Sequence, residues 1–212
     1  MSFIKNHIKV ISVLLLLALI LTSIGIFAYY RKKSIPKIED VRERIIQLVE
    51  DSKQINEIFF GQGLPVYVRD SDLSKEKFVY IGQQNKGYEK VMEVSPYLML
   101  DEMRVAAQRV YSSAYCEQLF ESCFDGVVVD GMTLLEYVEI SEWLYQSQAR
   151  DVLVRDERIY LYDTMKIVRP SNAEYINVEI ESYLISNPEK IEIERLGFAF
   201  EDGSWYLDTP TY

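Results

Sequence analysis

The sequence predicts an α+β protein, with an N-terminal transmembrane helix followed by helices packed on a curved antiparallel sheet. Three patterns carry that expectation. Val10 to Tyr30 forms a run of 21 residues with no charged side chain, close to the ~20 residues a helix needs to cross a bilayer core. Apolar residues at three-four spacing then fill Pro36 to Phe60 and return after Ser95, the period of an amphipathic helix. From Arg158 onward the apolar residues alternate with polar ones instead, the two-residue period of half-buried strands.

The apolar run is bracketed by Lys5 and Lys9 on one side and Arg31-Lys32-Lys33 on the other. A cleaved secretory signal is the competing reading, and Ser23-Ile24-Gly25 offers a small-x-small pattern. That pattern lies inside the run rather than after it, and the run exceeds the 7–15 residues of a signal core. Tyr29-Tyr30 followed by three bases resembles an interfacial aromatic belt. The length therefore predicts a retained single-pass signal-anchor over residues 10–30. The flanking bases nearly balance, and the short N-terminal segment with no earlier span favours the usual layout, with a cytoplasmic tail at 1–9. The C-terminal domain is then extracytoplasmic and the protein sits in the cell membrane.

Charge excludes some partners. The chain has a net charge of −10, and residues 1–33 hold five Lys or Arg and no acid, which leaves −15 for residues 34–212. So acidic a domain is a poor match for nucleic acid, whose phosphates need basic clusters. The single histidine, His7, precedes the apolar run. Histidine-dependent nucleophilic mechanisms and the common zinc sites therefore cannot be built in the domain. Carboxylate chemistry, a Ser-Lys pair or no chemistry remain, and no cofactor, metal or catalytic residue is assigned.

Within residues 31–60, Ile38, Val41, Ile45, Leu48, Ile55 and Phe59 form one stripe, interrupted by Ser52. A coiled-coil stalk needs more heptads than this, so the helix is expected to lie on its own domain. Residues 61–94 read as a loop-rich connector. Gly61-Gln62-Gly63-Leu64-Pro65 stops the helix and lacks the Lys-Ser/Thr of a phosphate loop. Asp70-Ser71-Asp72 continues a polar loop, and short extended pieces are expected at Val66–Val68 and Phe78–Ile81.

Residues 95–212 form the main domain. Ser95-Pro96 precedes a helix with Leu100, Met103, Ala107, Val110 and Tyr111 on one face, and Ser112-Ser113 starts another that ends at Asp125-Gly126. On a continuous helix Cys116 and Cys123 are too far apart for a disulfide and are expected as buried thiols, with a bridge across a break in the helix as the alternative. Thr133 to Gln148 reads as helical, with a hairpin around Val127-Val128-Val129 and Asp130-Gly131 as the alternative. Strands follow at Arg158–Tyr162 and Tyr175–Leu184. In the next strand the apolar parity changes from Ile191 and Ile193 to Leu196, Phe198 and Phe200, which predicts a bulge at Arg195. Asp202-Gly203 then turns the chain into Trp205-Tyr206-Leu207.

Helices followed by a bent meander ending Glu201-Asp202-Gly203-Ser204-Trp205-Tyr206-Leu207-Asp208-Thr209-Pro210-Thr211-Tyr212 resemble NTF2-like and cystatin-like domains. The ending is similar to bacterial extracytoplasmic domains related to cell-wall DL-endopeptidase inhibitors. The resemblance spans Ser95 to Tyr212 at most. It implies a non-catalytic binding or regulatory module of the cell envelope, with a protein partner such as a wall hydrolase. No inhibitory residue carries over.

Tyr175, Tyr183, Tyr206 and Tyr212 are the candidate partner face, since tyrosine is enriched at interfaces; the plainer alternative is cross-strand cover on the sheet's outer face. Two further functions stand beside the binder. One is a structural subunit of a membrane assembly, of secretion or sporulation type, acting through the span and the Ile38–Phe59 stripe. The other is a cavity enzyme using a carboxylate and a tyrosine, with Asp163, Glu179 or Glu181 as the acid.

Overall fold

A computed structural model describes residues 22, 34–67, 78–81, 86–129, 132–149, 152 and 156–211. Helix α1 is Ile38–Phe59, α2 is Leu100–Gln108 and α3 is Ser113–Phe120, which runs into a π-helical turn at Glu121–Asp125. The strands are β1 Phe78–Ile81, β2 Lys86–Lys90, β3 Val127–Val129, β4 Met132–Leu134, β5 Tyr137–Ile140, β6 Trp143–Ser147, β7 Arg158–Val168, β8 Tyr175–Leu184, β9 Asn187–Glu201 and β10 Ser204–Leu207. They form a four-stranded sheet in the order β1-β2-β6-β5, a second in the order β10-β9-β8-β7, and the hairpin β3-β4. Every pairing between named strands is antiparallel.

This corrects the expected fold class. The chain is α+β, but two four-stranded sheets replace the single curved sheet. Among the described residues no helix is long and apolar enough to cross a membrane. The span expected over residues 10–30 lies outside the described residues except for Thr22. The helix expected over Thr133–Gln148 is instead β4, β5 and β6, and the hairpin alternative at Val127–Val129 is the one formed. Ser141 (φ 50°) and Glu142 (φ 68°) join β5 to β6. Two successive positive φ angles make a tight hairpin turn that favours Asn-Gly, and Ser-Glu gave no such signal.

Helix α1 is the backbone of the core. Val41, Ile45, Leu48, Val49, Ile55 and Phe59 are buried on it, and each fully buried Ile or Leu contributes about 1.5–3 kcal/mol by leaving water. Its stripe packs in one cluster with Val178 and Ile180 of β8 and Leu196 and Phe198 of β9. The helix thus lies on its own domain. Ser52 does not interrupt it: fully buried on the same stripe, its hydroxyl bonds the Val49 carbonyl at 2.7 Å. Glu39 and Asp40 sit in the first turn, where the helix dipole favours negative charge. Cys116 and Cys123 are both buried, and neither forms a disulfide.

The predicted bulge at Arg195 is absent. The β8–β9 register runs unbroken from Tyr175↔Ala199 to Ser182↔Glu192, and its shift lies between Ser182 and Leu184. The backbone keeps its alternation while the chemistry changes faces. Leu196 and Phe198 point into the core, and Glu192 and Glu194 lie half-buried on the same face of the strand beyond it. Ile191 and Ile193 point outward and are 49% and 62% exposed.

Candidate functional site

The chain's last described residues are held against α1 by a polar network. Leu207 donates its N–H to the Val110 carbonyl (2.9 Å) and accepts from the Ser112 N–H (2.8 Å). Ser112 caps α3 by accepting from the Tyr115 N–H at 3.1 Å and donates its hydroxyl to the Asp208 carboxylate. The following residues lead to Thr211. Its hydroxyl meets Ser52 Oγ at 2.5 Å and accepts from Asn56 Nδ2 at 2.8 Å. Tyr111 donates to Asn56 Oδ1 at 2.5 Å, and Tyr160 donates to the Thr211 carbonyl at 3.1 Å. Buried polar groups are thereby satisfied in a chain that crosses α1, β7 and the tail.

Beside this network opens a cleft of about 520 Å³ between the C-terminal half of α1, the start of β7 and the end of β8. Phe60, Tyr160 and Leu184 give it apolar walls, with Thr211 at one side. Its two cations are already engaged. Lys53 pairs with Glu50 at 2.7 Å. Arg158 donates to Ser182 Oγ at 2.8 Å and pairs with Glu192 at 3.1 Å and Glu194 at 2.9 Å. These two glutamates, on the same face of the sheet, hold the Arg158 guanidinium. Hydrogen bonding from Lys190 and then Arg158 keeps the Glu192 carboxyl below the usual carboxylate range.

The lining carboxylates are placed differently. Glu57 folds back over Gly61, where a Cβ would collide with it, and accepts the Gln62 N–H at 2.9 Å. Asp156 accepts the Ser186 N–H at 2.8 Å, and hydrogen bonding from the Ser186 side chain first, then from that N–H, holds its carboxyl low. With Glu157 they line the cleft, and none of the three pairs with Lys or Arg among the described residues. Tyr160 is unsuited to lose a proton, because burial first, and the Glu194 charge next, push its phenol up. The cleft therefore offers apolar surface and uncompensated negative charge.

The expected tyrosine face is only partly assembled. Tyr175, Ala199 and Tyr206 are aligned across β8, β9 and β10. The Tyr175 ring covers Gly197, where an added Cβ would strike its hydroxyl, and burial together with Asp208 raises its phenol pKa. Arg44 lies 5.6 Å from the Tyr206 ring centre. Tyr183 stands eight residues away along β8, opposite Ile159 of β7, and Tyr212 lies outside the described residues. Asp163 pairs with Arg42 at 2.5 Å. Glu179 lies between Lys166 (3.0 Å) and Arg195 (2.8 Å), and Glu181 is exposed. None of these three carboxylates lines the cleft.

Sequence reasoning passed over Arg158 and its two glutamates. Extending the inward parity of Leu196 and Phe198 back along the strand would have placed Glu194 and Glu192 inside, where charges require partners. Among the described residues no group of three or more His, Cys, Asp and Glu is arranged to hold a metal ion. No protein-family model matches the chain, and no curated protein matches it.

Proposed function

We propose that this domain is a non-catalytic binding module whose cleft receives a basic segment of a protein partner. The observation that carries the reading is the imbalance within the cleft: both cations are paired internally, while Glu57, Asp156 and Glu157 form no ion pair with Lys or Arg among the described residues. A Lys or Arg side chain fits this chemistry twice over. Its methylene stem lies along Phe60, Tyr160 and Leu184, and its charged head reaches the carboxylates. The domain's net charge adds long-range attraction for a basic partner. The similarity of residues 201–212 to the ends of endopeptidase-inhibitor domains makes a cell-wall hydrolase the first partner class to try.

The test is calorimetric titration of the full chain with a short peptide alternating lysine and alanine, and with its glutamate counterpart. The lysine peptide binds, weakens as salt is raised, and binds several-fold less tightly to the Glu57→Gln/Glu157→Gln variant, because screening and lost charge act on the same attraction. Equal heats from the lysine and glutamate peptides contradict the proposal.

A further inference from the structure

Strand β9 is longer than its cover. It runs from Asn187 to Glu201 over 15 residues, but β10 pairs only with Phe198–Glu201. Gly197 sends both backbone groups toward that side, its N–H to Thr209 Oγ1 (3.0 Å) and its carbonyl to the Asp208 N–H (2.8 Å). The Phe200 N–H points the other way, to the Glu174 carbonyl. By alternation, Ile191, Ile193 and Arg195 also turn their N–H and C=O away from β8. Among the described residues no strand takes up these groups. An open edge flanked by exposed isoleucines is a template for an added strand.

The residues along the edge select which strand. Glu189-Lys190-Ile191-Glu192-Ile193-Glu194-Arg195 is complementary to its own reverse. Laid antiparallel on a second copy about Glu192, Ile191 faces Ile193, Lys190 faces Glu194 and Glu189 faces Arg195, each twice. Only Glu192 meets its like, and Lys190 and Arg158 already neutralise it. Centring on Ile193 instead sets Glu192 against Glu194 twice. Centring on Ile191 leaves Ile193 facing Glu189 and Arg195 facing Asn187. The Glu192 register also joins Ile191 and Ile193 through outward-facing backbone groups, with Glu192 in the non-hydrogen-bonded position on the axis. Glu189 and Lys190 lie beyond the regular part of the β8 ladder, so they supply charge while Ile191–Arg195 supply hydrogen bonds.

We infer that β9 pairs with β9 of a second copy, antiparallel about Glu192, joining two four-stranded sheets across a two-fold axis. The contact is smaller than the roughly 1,600 Å² of a standard interface, so the dimer is weak and concentration-dependent.

Oxidative cross-linking of the full chain tests the register. In a non-hydrogen-bonded pair the Cα atoms lie about 4.5 Å apart, within disulfide reach, so Glu192→Cys links to itself across the axis. Cys116 and Cys123 are buried and do not compete. Linked dimer forms about ten-fold faster for Glu192→Cys than for Ile193→Cys, whose partner position is offset. Adding Ile193→Pro, which removes an outward N–H and leaves the β8 ladder in place, slows Glu192→Cys cross-linking by a similar factor. Equal rates at the two positions, or a rate unchanged by the proline, overturn the inference. Sedimentation equilibrium of the unaltered chain is independent of any substitution: a mass rising toward twice that of the chain with concentration supports the pairing, and a monomer up to hundreds of micromolar overturns it.

Discussion

Asn56 is the residue on which the tail depends. Its amide links Tyr111 to Thr211, so Asn56→Ala leaves a buried hydroxyl, that of Tyr111, and a part-buried one, that of Thr211, without that partner. Urea denaturation is expected to show a loss of about 1–3 kcal/mol, and Tyr111→Phe a smaller one, since it leaves a single acceptor unpaired. Burial pushes the Cys116 thiol up to about 12, with the Glu201 charge adding to it. The thiolate is the reacting form, so the native protein should resist a thiol reagent at pH 8 and react once denatured. Rapid native labelling would contradict the packing around α3. Glu179 is held low by Arg195 and then Lys166, and Glu192 by Lys190 and then Arg158. A depressed folded pKa stabilises the protein above the unfolded value of about 4.3 and is lost as pH falls through the folded one. The melting temperature should therefore decline below about pH 4. Glu179→Gln should lessen that decline, modestly because the pair is exposed to solvent.

At the scale of elements, legibility followed the strength of the local signal. Helix α1 could be read from its stripe, and β8 from its strict alternation, because both bury one continuous apolar face. The β5–β6 hairpin could not, since its turn uses Ser141 and Glu142 where a positive φ at both positions favours Asn-Gly. Replacing them by Ser141→Asn and Glu142→Gly should raise stability by up to about 1 kcal/mol, measured by thermal melting, through relief of backbone strain. A loss of stability would mean that the two side chains do more than turn the chain. The apparent bulge at Arg195 misled for a different reason. Apolar residues on β9 change from the outer face to the inner one, and a parity rule reads a change of face as an extra residue. What changes is the surroundings: beyond the core, the inner face meets Arg158 rather than α1. The cleft was illegible because its residues come from α1, β7 and β8, which no local pattern brings together.

Over the whole molecule, one helix organises both the core and the cleft. The apolar stripe of α1 fills the space beneath the C-terminal sheet, and its last turns present Lys53, Asn56 and Glu57 beside β7. Leu48, fully buried at the centre, should cost about 2–5 kcal/mol on substitution by alanine. The cleft would then weaken only as far as the fold does. The outer face of the same sheet carries Tyr175, Tyr206 and Ile193, so the two faces make distinct forecasts for where a partner touches. Amide chemical-shift mapping of the isotopically labelled full chain with the lysine–alanine peptide separates them most directly. Binding in the cleft predicts the largest shifts at Glu57, Gly61, Glu157 and Leu184, with the outer face nearly silent. Shifts centred on Tyr175, Ala199 and Tyr206 would contradict the account.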